Sequence, residues 1–190
     1  MSQDILLISP QMLKDRSMVH GNVEDKLIYP DIKVCQDMYI HPILGTALYN
    51  KIQTDISAAT ITGNYKTLLD KYIVDALIHY TIERLQTSVS FQLWNKGVVR
   101  KQGQDTELPS MSELFDLSSK YKITAEFYAN RLRKYLKQNA SAMFPEYLNP
   151  GSGIDDIHPD NKTFTSPVYL GEDDCPKTYA ERYQGNNPSC

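Results

Sequence analysis

The sequence predicts an all-α fold: a helical bundle around two long antiparallel helices, with a long loop or small hairpin between them and an extended C-terminal tail. Three observations predict it. Apolar residues recur at helical spacing over two long windows, Tyr65 to about Gln92 and about Ser110 to Ala142. Between them, residues 93–109 abandon that spacing for turn and extended chemistry. From Pro150 onward the periodicity is lost, and the last 41 residues hold five of the ten prolines and four of the nine glycines.

The elements follow in order. Ser9 before Pro10 is a helix start, a hydroxyl cap followed by a proline whose missing N–H costs nothing there, and this helix should reach about Ser17. Gly21-Asn22 marks a turn. A second helix is expected from Pro30-Asp31, with Ile32, Cys35, Met38 and Tyr39 on one face. His41-Pro42 should break or bend it, because proline lacks a donor and restricts its predecessor. Helix then continues to about Ile56 on Leu44, Leu48 and Ile52, with Gly45 allowing a close helix crossing. After the turn Thr62-Gly63-Asn64, the first long helix is apolar around most of its circumference, the mark of a central helix. Lys71, Asp75, His79, Glu83 and Gln86 form its narrow polar stripe.

In the break, Asn95-Lys96-Gly97 is turn chemistry and Val98-Val99 favours extended backbone. Ser110 through Glu113 reads as a capping box. The second long helix carries the seam Leu114, Leu117, Tyr121, Ala125, Tyr128, Leu132 and Tyr135 in steps of three and four, suited to packing on another long helix. It should end before Phe144-Pro145. The organisation is thus residues 1–149 as a helical body and residues 150–190 as an extended Pro/Gly-rich acidic tail.

Charge divides along the same line. The chain carries 20 basic and 23 acidic residues, net −3. The tail holds seven acids and three bases, so the body is near neutral with 17 bases and 16 acids. That balance argues against a dedicated nucleic-acid binder, which needs a basic face. With 13 Tyr against 5 Phe and 1 Trp, the chain favours aromatics that pack with one end and stay wet at the other. No window approaches the length of a membrane span, and Met1–Pro10 lacks the basic start and apolar run of an export signal. Cys35, Cys175 and Cys190 are therefore expected as reduced thiols. The tail has too little apolar content for its own core. Its anchors Ile154, Ile157, Phe164, Val168, Tyr169, Leu170, Tyr179 and Tyr183 suit docking against a partner.

No catalytic constellation stands out. There is no Gly-x-Ser-x-Gly, no phosphate loop and no Cys-x-x-Cys. His79 and Glu83 share a helix face at metal-ligand spacing, but one pair is too few ligands and a satisfied polar stripe is the better reading. The segment Asp155–Asn161 concentrates acids without the spacing of a calcium loop. No metal, no cofactor and no enzymatic activity is expected. Two basic clusters remain. Arg131, Arg133, Lys134 and Lys137 lie toward a helix C-terminus, where the macrodipole accounts for most of them. Lys96, Arg100 and Lys101 lie in the break, where solubility and a reach toward an acidic partner or phosphates account equally well.

The stretch Ile40-His41-Pro42-Ile43-Leu44-Gly45-Thr46-Ala47-Leu48-Tyr49, the turn Leu93-Trp94-Asn95-Lys96-Gly97-Val98-Val99 and the closing Phe144-Pro145-Glu146-Tyr147-Leu148, set around two long helices, resemble the head–tail connector (adaptor) proteins of tailed bacteriophages. The likeness is nearest to versions from phages of Bacteroidetes hosts, including crAss-like phages, and covers about residues 1–149. It implies a virion structural protein, assembled in the host cytoplasm. Its protomers would form a closed ring, expected to be a twelve-fold homo-oligomer, between the portal protein and tail or other ring proteins. Packaged DNA would pass through its channel with non-specific contacts only, and no membrane is involved. Partner contacts are expected from Asn95, Lys96, Gly97, Val98, Val99, Arg100 and Lys101 in the loop and from Ile154, Ile157, Phe164, Tyr169, Leu170, Tyr179 and Tyr183 in the tail, which would clamp a neighbouring subunit or ring. The competing expectations are a small helical DNA-binding regulator, which needs salt-dependent DNA affinity, and a ligand-binding or enzymatic protein of a mobile element, which needs a pocket of converging polar groups.

Overall fold

In the computed structural model, residues 4–94, 97–100, 110–149, 153 and 156–159 are described, with backbone alone for 92–94 and 97–100. All belong to a compact unit, Met1–Asp160; the second unit, Asn161–Cys190, lies outside the described residues.

Helix α1 (Pro10–Asp15) starts as its sequence requires: the Ser9 hydroxyl accepts the Met12 N–H at 3.1 Å, and Pro10 occupies the first turn. It stops short of Ser17. Helix α2 (Asp25–Cys35) begins one and a half turns before the expected Pro30, which sits inside it. Proline there leaves the Lys26 carbonyl without a helical donor. Both residues are exposed, so water can serve that carbonyl. Ile28 and Ile32 on the opposite face are fully buried, and that burial outweighs the break.

Pro42 does not break the rod either. The chain widens into a π-helical segment, Gln36–Ile40, whose wider reach ends with the His41 N–H bonding the Gln36 carbonyl, and Pro42 then falls in the first turn of α3 (His41–Leu44). The real stop comes at Gly45, whose φ of +75° only glycine adopts easily. Helix α4 (Thr46–Ser57) starts anew. Gly45 therefore separates two helices, and the close neighbour it admits is not a crossing helix but Pro159: a Cβ here would lie 2.8 Å from the Pro159 ring.

Helix α5 (Gly63–Leu68), a second π-helical segment (Leu69–Ile73) and α6 (Val74–Ser90) run on with right-handed helical backbone at both joins. Helix α6 is central, with Ala76, Leu77, Ile78, Tyr80, Thr81, Ile82 and Leu85 all buried. Strands β1 (Phe91–Trp94) and β2 (Gly97–Arg100) then pair antiparallel, Trp94 opposite Gly97 and Phe91 opposite Arg100. The break between the long helices is thus a small hairpin over these residues. Helix α7 (Met111–Met143) opens on the expected capping box, with Ser110 and Glu113 exchanging bonds. A short α8 (Pro145–Leu148) closes the body, and Tyr147 is buried.

Helices α6 and α7 are antiparallel, because their contacts run in reverse order. Tyr72 stacks on Tyr135 at 4.0 Å, His79 on Tyr128 at 5.3 Å, and Ser118 reaches Glu83 at 3.5 Å. His79 and Glu83 of the polar stripe thus face α7, while Lys71 stays exposed. The seam of α7 is rotated from the expected one: Ala125, Ala129, Leu132, Leu136 and Ala140 are buried, while Tyr128 and Tyr135 sit half-buried on its edge. Three alanines bring the backbones close, and the tyrosine rings flank the contact, with the Tyr135 hydroxyl 4.0 Å from the Met143 sulfur.

Candidate assembly surfaces

The N-terminal half of α7 is laid down on the core only along one edge. Phe115, Ser119, Ile123, Phe127 and Arg131 follow one another every four residues, an oblique ridge that winds about 40° around the helix at each step. Phe115, Ile123 and Phe127 are 65%, 68% and 65% exposed. A 33-residue helix is about 50 Å long, and this ridge occupies its outer side from the first turn to the middle. Sequence patterning placed Ala125 and Leu132 of the α7 seam but not this ridge. The signal was present: three large apolar residues that do not fit the seam.

The ridge runs into a cleft of about 530 Å³ between α7 and the π-helical turn before α6. Its aromatic lining is Tyr72 stacked on Tyr135 with interplanar angle 15°, together with the exposed Phe127. Its rim is cationic. The Arg131 guanidinium lies over the Tyr72 ring at 4.9 Å, and Lys134 stands a turn further on. Among the described residues no carboxylate forms an ion pair with Arg131, Lys134 or Lys137, whereas Lys14, Lys26, Lys33, Lys51 and Arg84 each have one. The macrodipole does not account for these cations. It fades beyond the last turn, and the last turn of α7, ending at Met143, holds no basic residue.

A second junction lies where the chain returns to α4. The Thr46 N–H donates to the Ile157 carbonyl at 2.9 Å, and the Ile157 N–H donates to the Thr46 hydroxyl at 2.8 Å. That hydroxyl also lies 3.1 Å from His41 Nε2, and the His41 ring stacks on Tyr49 at 4.4 Å. Since the Thr46 oxygen accepts from Ile157, its own proton is free for a neutral His41. Burial lowers the His41 pKa from its usual value, against the pull of the Asp37 carboxylate. Gly153 completes the segment, its N–H bonded to the Asp156 carboxylate at 2.6 Å.

A family model described as a family of unknown function, DUF6712, matches residues 40–157. The chain belongs to that family. The DUF6712 match opens at Ile40, beside the His41–Thr46 junction, and closes at Ile157, the residue that binds it, so the two ends of the family's span meet in space. No curated protein and no solved structure matches the chain.

The residues expected at interfaces are distributed unevenly. Gly97, Val98, Val99 and Arg100 form β2 of the hairpin; Asn95, Lys96 and Lys101 lie outside the described residues. Ile157 is 42% exposed beyond its two backbone bonds to Thr46. Ile154, Phe164, Tyr169, Leu170, Tyr179 and Tyr183 lie outside the described residues, as do Cys175 and Cys190. Among the groups considered for chemistry, His79 is wedged beside Tyr121 and Tyr128, its buried Nδ1 unbonded among the described residues, and burial lowers its pKa while Asp75 pulls the other way. Cys35 is buried against the Tyr80 carbonyl, and burial pushes its thiol up to about 12, which keeps it protonated. Among the described residues no three metal-ligating side chains cluster, and no helix is long and apolar enough to cross a membrane.

Proposed function

We propose that this DUF6712 protein is a structural ring subunit at the head–tail junction of a tailed bacteriophage, positioned between the portal and tail components. The observation that carries the assembly reading is the apolar ridge Phe115–Ile123–Phe127. Large exposed side chains in one ridge of a helix are a common mark of a surface covered by another protein. The resemblance of the Ile40–Tyr49 stretch, the hairpin turn and the closing Phe144–Leu148 to phage connectors supplies the kind of assembly. A closed ring needs a heterologous interface, in which one surface of a copy meets a different surface of the next.

Native mass spectrometry of the chain, alone and mixed with its candidate portal protein, tests this. The expected result is a cyclic oligomer, formed alone or nucleated by the portal. A chain that stays monomeric in both samples, at every concentration tried, overturns the proposal.

A further inference from the structure

We infer that the cleft at Tyr72, Phe127, Arg131, Lys134 and Tyr135 is a docking site for the acidic C-terminal segment of a neighbouring copy; this rests on the ring reading above. The cleft has two chemical halves: an aromatic lining, and a rim of cations that no described carboxylate neutralises. A ligand suited to both needs aromatic or aliphatic anchors next to several negative charges.

The chain carries such a sequence in its own C-terminal segment. Tyr169-Leu170 is followed after one glycine by Glu172-Asp173-Asp174, and Tyr179 and Tyr183 flank Glu181. The Tyr169–Tyr183 stretch carries four acids and two bases, while the body is near neutral and displays the Arg131–Lys137 cluster. Charge complementarity of this kind selects a partner and its register more than it adds raw affinity. The anchors then supply burial against rings already held by Tyr72–Tyr135 stacking. Reach is no obstacle, since residues 160–190 span up to about 100 Å when extended. The pairing is also heterologous, cleft to tail, and so has the form a closed ring requires.

The test uses the full chain. Heavy-isotope and unlabelled copies are mixed at equal amounts, coupled with a zero-length carbodiimide that joins Lys amines to carboxylates, and digested for mass spectrometry. Native mass is read on the same mixture. The expected products link Lys134 of one label to Glu172, Asp173 or Asp174 of the other. Their yield should fall about tenfold with Arg131→Glu and Phe127→Ser together, which leave the Lys134 reporter in place. Yield should return when Asp173→Lys is added to the Arg131→Glu chain. Links confined to one label overturn docking between copies. Oligomers that form without any Lys134 link to these acids overturn the cleft assignment and leave the ring standing. A chain monomeric in all samples overturns both. Duplex DNA that protects Lys134 from coupling in a mixture with no tail links assigns the cleft to phosphates and overturns the proposal.

Discussion

The two halves of α7 are treated differently by the rest of the molecule. From Ala125 to Ala140 its inward positions are Ala, Ala, Leu, Leu and Ala, all buried against α6 and its neighbours. Before Ala125 no residue of the helix is fully buried, and Phe115 and Ile123 face outward. Local helix formation is equally well encoded in both: the first half has its own capping box, and the whole helix is continuous. What differs is tertiary cover. One half is held by the fold, and the other is held out from it with a surface of its own, which is how a rigid element presents an interface.

The largest effect expected from this contrast is in the covered half. Leu132 is fully buried, so Leu132→Ala should cost about 2–5 kcal/mol through lost burial and the cavity left behind. Urea unfolding would report it as a lower midpoint with unchanged slope. A loss under about 1 kcal/mol would mean α7 is not anchored at Leu132, and the contrast between the halves would fail.

The Gly45 junction comes next. Alanine there must adopt φ +75° and place its Cβ 2.8 Å from the Pro159 ring. A positive φ with extended ψ, 75° and 159°, costs a non-glycine residue about 1–3 kcal/mol and displacement of the Pro159 segment adds to it, so Gly45→Ala should lower stability by about 2–4 kcal/mol. Hydrogen exchange at the Thr46 and Ile157 amides separates the two causes. Both amides should exchange faster if the segment is displaced, and stay protected if strain alone acts.

How much of this could be read from the sequence depends on what kind of signal each feature leaves. The long helices, the capping box and the tail's change of composition are periodic or compositional, and they emerge from a single chain. Pro30 misled because it sits inside α2, where exposure lets water serve the Lys26 carbonyl, and at Pro42 a π-helical widening stands in place of a break. The reason for Gly45 was invisible, since its neighbour Pro159 is distant in sequence. Fully buried Gln36 is a similar case: it accepts the Leu7 N–H at 2.8 Å and donates to the Ile5 carbonyl at 3.0 Å, fastening the N-terminal segment from a helix that shows only a polar residue among apolar ones. The aromatic-cationic cleft combines a residue of one helical rod with residues of another, and its cations were read as serving the end of α7.

The exposed half should respond in the opposite way to the core. Phe115→Ser and Ile123→Ser remove surface that the monomer leaves in water, so unfolding free energy should move by no more than about 0.5 kcal/mol, while oligomer or portal-bound mass is lost. A large destabilisation of the monomer would show that this half is packed after all, and intact assembly would show that the ridge is not the interface.

The smallest effect is a pH dependence at the boundary between the halves. His79 is held beside Tyr121 and Tyr128, and burial lowers its pKa below the usual 6.5. The unfolded chain therefore takes up the proton first. Stability is full above about 6.5 and falls as pH drops through that value toward the folded pKa. His41, also lowered by burial, contributes with the same sign, so removing His79 should flatten the curve without abolishing it. His79→Phe keeps a ring against Tyr128 and discards a buried nitrogen unbonded among the described residues. Stability should be nearly unchanged at alkaline pH and higher than wild type near pH 5. Thermal melts across that range decide it. A variant curve parallel to that of the wild type would mean that His79 titrates alike folded and unfolded, and that water reaches the α6–α7 contact at Tyr128 as freely as it reaches the open half of α7.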